Sequence, residues 1–269
     1  MRLRQVRNVL VVYRILYGTD YLERSIRSVL AGADQVFVGY SNEPWSQPKP
    51  FADIREIEVS PAEVVDQHFD GNVTAAYYHY NTPRNQFQLL RMEAIKDLEE
   101  YYITVFMEPD MVWAPGYFEK FIDEFKSRSE HYQTAPQIEL WKTDEWRIPQ
   151  RNRFGATAYK GMIPTLGFGQ QPATGDVSVI SKFGHYNYGF CLNDETMRYK
   201  HDAALDFSAK IGDSVPAQRW YEDKWLNWTP DTMNLEPSAN HSHMIPKALR
   251  YDMPTEMKEY MDANPIKNS

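Results

Sequence analysis

Two carboxylates stand one residue apart in the stretch VFMEPDMVW, residues 105–113. Glu108 and Asp110 are separated by Pro109 and follow at once on the largely apolar Ile103, Val105, Phe106 and Met107. Acids at this spacing can reach the same ion, and their hard oxygens suit Mg²⁺ or Mn²⁺ that also binds a diphosphate. A solvated turn is the competing reading of any isolated acid-x-acid triplet. What favours the metal is the position: the pair closes a predicted core strand, and ligands of open parallel sheets gather at the carboxyl ends of strands. Asp110 is expected to be exposed there.

A second acidic pair, Glu222 and Asp223, lies in WYEDKW, residues 220–225. A carboxylate within hydrogen-bond reach of a hydroxyl can take its proton. A solvated helix face with an Asp–Lys pair explains the same residues. Trp220 and Trp225 flank the acids, and each ring can stack on a sugar or pack in the core. His241 and His243 share a face if SANHSHMIP is extended, which suits a metal, or they occupy a surface turn.

These groups need a scaffold. Residues 8–14, NVLVVYR, read as a strand buried on both faces. In YGTDYLERSIRSVL, Asp20 and Glu23 have capping-box spacing, and Leu22, Ile26, Val29 and Leu30 recur at helical spacing. QVFVGY predicts a second strand and IREIEVS a third. This order implies a parallel sheet with right-handed crossovers. DQHFDGNVTAAYYHYNTP reads as loop or short helix. A helix is expected from Arg84 to about Leu98, and YYITVFM is the fourth strand, ending on the acids. APGYFEKFIDEF predicts a helix with Phe118, Phe121, Ile122 and Phe125 aligned and Pro115 in its first turn. QIELWKTDEWRIPQ reads as extended, GMIPTLGFGQQPATGD as a long loop, and PAQRWYEDKWLNWTP as a short helix. The last twenty-odd residues read as a tail with one short helix.

The order of VLVVYRILYGTDYLERSIRSVL, QVFVGY, TPRNQ, a helix, a strand ending in Glu108-Pro109-Asp110, and a late WYEDKW resembles the family 2-like glycosyltransferases of the GT-A fold. The resemblance spans residues 8 to about 228. It implies an α/β, Rossmann-like, mostly parallel sheet flanked by helices, followed by a loop-rich acceptor half. It also implies one domain over residues 1–269, with a nucleotide-sugar half (1–115) and an acceptor half and tail (116–269). By the same resemblance, Glu108 and Asp110 hold Mn²⁺ or Mg²⁺ and the donor diphosphate, and a late histidine, His243 or His241, adds a ligand. Arg84-Asn85 match the family's Arg-Asn pair. Tyr13, Arg14, Asn42, Glu43, Arg84 and Asn85 are expected around a UDP- or GDP-sugar. Asp223 is the expected base, with Glu222 as its alternate. Trp113, Trp146, Trp220 and Trp225 are expected at the acceptor, in a region that includes Asp144, Glu145 and Arg147. The sequence departs from the family where an Asp usually ends the second strand: GYSNEPW offers only Ser41, Asn42 or Glu43.

The implied activity is transfer of a sugar to a hydroxyl, with inversion. Nucleotidyl transfer is the alternative enzyme, although YRILYGTD lacks the Gly-rich basic loop that chemistry usually uses. A non-catalytic carbohydrate-binding protein is the third reading. Composition bounds the rest. The 269 residues are 42% hydrophobic and 25% charged, as in soluble globular chains. No run approaches the ~18 apolar residues of a membrane span. The apolar patch after MRLRQVR ends at Arg14 and is too short for a signal peptide. A single cysteine, Cys191, excludes an internal disulfide and fits a reducing cytoplasm, so the sequons at Asn72, Asn227 and Asn240 are read as chance. A net charge of −8 argues against a surface that grips nucleic acid, while leaving room for a local basic groove.

Overall fold

A computed structural model describes residues 7–44, 51–79, 101–149, 154–160, 179–210, 220–235 and 247–266. It is a mixed α/β architecture built on one sheet with flanking helices. β1 (Arg7–Ile15), β2 (Gln35–Tyr40), β3 (Val73–Tyr77) and β4 (Tyr101–Met107) form its parallel part, in the order β3-β2-β1-β4. β1 is central. Val9, Val11 and Val12 are buried between β2 and β4, which is why this strand reads as a continuous β-branched run.

After Met107 the chain turns through Glu108, Pro109 and Asp110 into β5 (Met111–Trp113). The rest of the sheet is of mixed direction. β6 (Tyr132–Trp141) runs beside β8 (Phe154–Lys160), which pairs antiparallel with β4. β7 (Thr143–Arg147) returns from β6, the short β9 (Val179–Ile180) pairs with β6, and β10 (His185–Phe190) bridges β5 and β6. β11 (Leu249–Arg250) closes the β7 edge.

The helices carry apolar stripes onto this sheet. α1 (Leu22–Arg27) follows a 3₁₀ turn, Thr19–Tyr21, and buries Leu22 and Ile26. The expected capping box is absent: α1 has no side-chain cap, because the Asp20 carboxylate accepts instead from Asn193 Nδ2 at 2.9 Å. IREIEVS is not a strand. Asp53 caps α2 (Ile54–Ile57) by accepting the Arg55 N–H, and the apolar pair Ile54 and Ile57 lies one turn apart. The third strand is instead VTAAY, β3, inside the segment expected to be loop or short helix. It is preceded by α3 (Pro61–His68), which has Ser60 as its cap and Pro61 in its first turn.

α4 (Tyr117–Lys126) buries Phe118, Phe121, Ile122 and Phe125, the expected stripe, each side chain worth roughly 1.5–3 kcal/mol of apolar burial. Pro115 sits just outside it, ahead of a left-handed Gly116 cap. α5 (Asp194–Lys210) and α6 (Thr255–Ala263) complete the described helices. WYEDKW forms a π-helical turn, Tyr221–Leu226, rather than a regular helix. The expected helix from Arg84 and the loop GMIPTLGFGQQPATGD lie outside the described residues. No helix among the described residues is long and apolar enough to cross a membrane.

Candidate active site

The parallel arrangement delivers Glu108 and Asp110 to the carboxyl edge of the sheet, one turn beyond β4. Glu108 is part-exposed and accepts from Arg14 Nη2 at 2.6 Å. Arg14 follows Tyr13, which is in register with Met107, so adjacent parallel strands set the two residues side by side.

Asp110 is buried, contrary to expectation, at 5% exposure. β10 and α5 cover it. The Tyr188 N–H donates to the Asp110 carbonyl at 2.8 Å. A Cβ added to Gly189 would lie 3.0 Å from Asp110 Oδ2 and 3.1 Å from Lys200 Nζ, so only glycine lets the strand pass this close. Lys200, on α5, donates to the Gly189 carbonyl at 2.6 Å. Among the described residues Asp110 Oδ1 is buried without a hydrogen-bond partner. Burial, reinforced by the Glu108 charge and eased by Lys200, lifts the Asp110 carboxyl to about 7.

An orphaned, buried carboxylate oxygen beside a second carboxylate fits a divalent cation. Such ions often take one or two protein carboxylates and complete their shell with phosphate and water. Among the described residues no group of three His, Cys, Asp or Glu side chains gathers as a metal site. His241 and His243 lie outside the described residues, as do Arg84 and Asn85.

A cleft of about 400 Å³ opens at the carboxyl ends of β1, β2 and β3. Its walls include Leu16, Thr19, Tyr40, Asn42, Arg55 and Tyr77. The Tyr40 and Tyr77 rings meet edge to face at 5.6 Å, and the Tyr77 hydroxyl donates to Asn42 Oδ1 at 2.7 Å. One loop separates the cleft from the acids. Leu16 and Thr19 face the cleft. Burial pushes the Tyr17 phenol up, helped by the charges of Glu108 and Asp110. A Cβ on Gly18, at φ 89, would lie 3.3 Å from Pro109 Cγ. Glu58 pins this loop: its carboxylate accepts the N–H groups of Gly18 at 2.9 Å and Thr19 at 3.0 Å.

Other expected site residues stand elsewhere. Glu43 pairs with His79 Nδ1 at 2.6 Å and is not among the residues that wall the cleft. Tyr13 is a core residue with 0% exposure: its hydroxyl meets Ser25 Oγ at 2.9 Å, so it offers no surface to a donor. Trp113 is likewise in the core, 5.0 Å from the Phe121 ring and 5.3 Å from His185. Trp220 and Trp225 pack against Trp141, centroids 6.1 and 5.5 Å apart, so core packing describes both rings. Trp146 is half-buried at the β7 edge, 5.4 Å from Trp228 with the Arg250 guanidinium over its ring, and this expected acceptor ring keeps surface.

Glu222 and Asp223 are exposed on the π-helical turn. That turn is anchored by Trp225, whose Nε1 donates to Asp194 Oδ1 at 3.1 Å and whose face receives Lys142 Nζ at 3.8 Å. Lys142 joins β6 to β7 in the left-handed region, φ 63, which is uncommon for a residue other than glycine.

Sequence reasoning missed Tyr17, Glu58, Gly189 and Lys200. Gly189 and Lys200 belong to no motif, and Tyr17 and Glu58 lie in YGTDYLERSIRSVL and IREIEVS, stretches whose pattern speaks for secondary structure rather than for a site. The only local hint was Glu58, an acid next to the β-branched Val59.

No protein-family model matches the sequence, and no curated protein matches it either. Similar solved structures include 4-diphosphocytidyl-2C-methyl-D-erythritolsynthase from Anaerococcus prevotii DSM 20548, at 10% identity and TM-score 0.41, over 77% of this chain and 100% of that one. Another is GalNAc-T7 with UDP, GalNAc and Mn²⁺, at 8% identity and TM-score 0.47, over 97% of this chain and 55% of that one. This chain therefore spans about half the length of the GalNAc-T7 chain. Likenesses this loose carry no argument about chemistry.

Proposed function

We propose that the protein is a metal-dependent glycosyltransferase of GT-A type, moving a sugar from a nucleotide-diphosphate sugar to an acceptor hydroxyl with inversion. The observation that carries this reading is the buried Asp110 oxygen beside Glu108, without a hydrogen-bond partner among the described residues and one loop away from the cleft at the ends of β1, β2 and β3. The cleft has the size and the mixed aromatic and polar lining of a small-ligand site. It would take the nucleoside, with Tyr40 and Tyr77 supplying ring edges and Asn42 a polar contact. The diphosphate would then cross the Leu16–Thr19 loop toward Arg14 and the acids. Mn²⁺ or Mg²⁺ held by Glu108 and Asp110 would offset the charge that develops on the departing diphosphate. Arg14 and Lys200 add positive charge on the same side.

On the acceptor side, Asp223 is the proposed base, with Glu222 next to it. Their π-helical turn supports this assignment, because such turns are frequent at functional sites. Trp146 remains a candidate sugar platform.

The test is a panel of UDP- and GDP-sugars incubated with Mn²⁺, scored for donor hydrolysis and, with glycan acceptors, for transfer. Asp110→Ala serves as the inactive control. In parallel reactions given a nucleoside triphosphate and a sugar phosphate, release of inorganic diphosphate with formation of a nucleotide-linked sugar would instead indicate nucleotidyl transfer. A response to free glycans alone would indicate a binding protein. Either result overturns the proposal.

A further inference from the structure

We propose that Lys142 is a positioning residue: its ammonium clamps Trp225 and so sets where the π-helical turn holds Glu222 and Asp223 relative to the acid pair. The inference rests on the reading of that turn as the acceptor side of a glycosyltransferase.

Lys142 is the single residue between β6 and β7, and its φ of 63 is left-handed. Glycine occupies that region freely and asparagine tolerates it, whereas a lysine there brings its Cβ against the backbone. A turn with no other task would favour one of those two residues. The backbone is fixed from one side, since the Lys142 N–H donates to the Phe190 carbonyl at 2.8 Å. What lysine adds is its side chain. Strained residues of this kind gather where the surrounding structure makes use of them.

Lys142 Nζ lies 3.8 Å from the centre of the Trp225 ring and 3.6 Å from Asp194 Oδ1, the same oxygen that accepts from Trp225 Nε1 at 3.1 Å. With its side chain at 22% exposure the ammonium is largely withdrawn from water, which strengthens its attraction to the ring. Asp194, at 57%, adds little as an ion pair but fixes where Nζ sits. Trp141, the preceding residue, meets the same indole edge to face at 5.5 Å. Two consecutive residues at the end of β6 therefore grip Trp225, the buried residue of the π-helical turn, two positions after Asp223. A π-helix forms only as a short turn, so anchors of this kind hold it rather than a longer helix. Asp194 also opens α5, the helix that brings Lys200 beside Asp110. The node thus joins the turn that carries the proposed base to the helix that covers the acid pair.

The experiment compares the full-length wild type, Lys142→Asn and Lys142→Arg by hydrogen–deuterium exchange, thermal unfolding and transfer kinetics, with Mn²⁺, UDP- and GDP-sugars and glycan acceptors. Asparagine accepts the left-handed backbone and removes the ammonium, so the thermal midpoint should stay within about 4 °C of the wild type. Exchange of amides 221–226 should quicken by about tenfold or more, while that of α4 stays the same. The kcat for transfer should fall by about tenfold to a hundredfold with the donor KM unchanged, as for a displaced group that does not touch the donor. Lys142→Arg keeps a cation over the ring and should recover most of both effects. A midpoint and kcat that fall together, with faster exchange throughout the sheet, would make Lys142 an ordinary stabilising residue. Unchanged exchange in 221–226 would show that the turn is held without it. Either result overturns the proposal. Asp194→Asn gives a second reading if Lys142→Asn does not fold. It keeps an acceptor for the Trp225 indole but removes the charge that places Nζ, so the same amides should quicken to a smaller extent, and no change there refutes the clamp. A wild type that transfers no sugar from any donor overturns the functional reading, while the exchange data still decide whether Lys142 holds the turn.

Discussion

The Glu58 carboxylate accepts the Thr196 hydroxyl at 2.8 Å across 138 residues of sequence. Its other bonds go to the N–H groups of Gly18 and Thr19, so one buried acid ties the loop after β1 to the start of α5. That loop touches Pro109, and α5 carries Lys200. Glu58 thereby holds both walls of the acid pair in place.

Glu58→Gln should destabilise the fold by about 1–3 kcal/mol, because an amide cannot accept all three bonds and turns a donor toward backbone N–H groups. Thr196→Val removes one bond and should cost about 1 kcal/mol. Urea unfolding of both variants checks the ranking. Equal stability of wild type and Glu58→Gln would show that the loop is held otherwise.

Gly189→Ala places a methyl 2.8 Å from Asn187 Oδ1 and about as close to Asp110 and Lys200. The strand or the acid must move, at about 1–3 kcal/mol for overpacking. Metal-dependent nucleotide affinity should fall with it. A variant that binds like the wild type would place the ligand away from Asp110.

Asp110→Asn should raise the thermal midpoint in metal-free buffer by about 2–4 °C, as expected for roughly 1 kcal/mol in a chain of this size. The reason is burial of a carboxylate whose Oδ1 has no hydrogen-bond partner among the described residues. The same variant should lose metal-dependent nucleotide binding. Differential scanning fluorimetry with and without Mn²⁺ and UDP reads both effects.

His185 gives a pH dependence of known sign. It is buried, its Nε2 accepts the Ala156 N–H at 3.1 Å, and burial brings the imidazole down to about 4 despite the Tyr186 carbonyl and the Glu108 charge. As pH falls, the unfolded chain takes up this proton first. The contribution is intact above about pH 6.5 and is lost towards pH 4, by about 2 kcal/mol at pH 5. Asp110, lifted by burial, acts in the opposite sense, so the comparison must be between variants. His185→Gln should show a smaller loss of urea stability from pH 7 to pH 5 than the wild type does. Identical losses would mean that another group titrates.

Asp223→Asn should slow transfer by about 10²–10⁴-fold while leaving Mn²⁺ and nucleotide affinity unchanged. Glu222→Gln is its control. Slow transfer in Glu222→Gln alone moves the base by one residue, and normal rates in both variants place it elsewhere.

The sequence by itself determined the elements whose signal is local. β1 and β4 are apolar runs that the sheet buries on both faces, and α4 is a stripe of Phe118, Phe121, Ile122 and Phe125; both patterns survive in any environment that supplies a core. The acid-x-acid turn was legible because a strand that ends in two carboxylates is unusual. Tertiary structure decided the rest. IREIEVS alternates like a strand, yet the Asp53 cap and the need for Glu58 beneath the β1 loop make it helix and turn, and the weakly patterned VTAAY takes the open place beside β2. Asp110 is buried only because β10 and α5 return over it from many residues later. Whether Trp113, Trp220 and Trp225 meet a sugar or Phe121 and Trp141 is equally non-local. A residue's type fixes what its surface can bind, but only the segment that folds across it fixes whether that surface is left open.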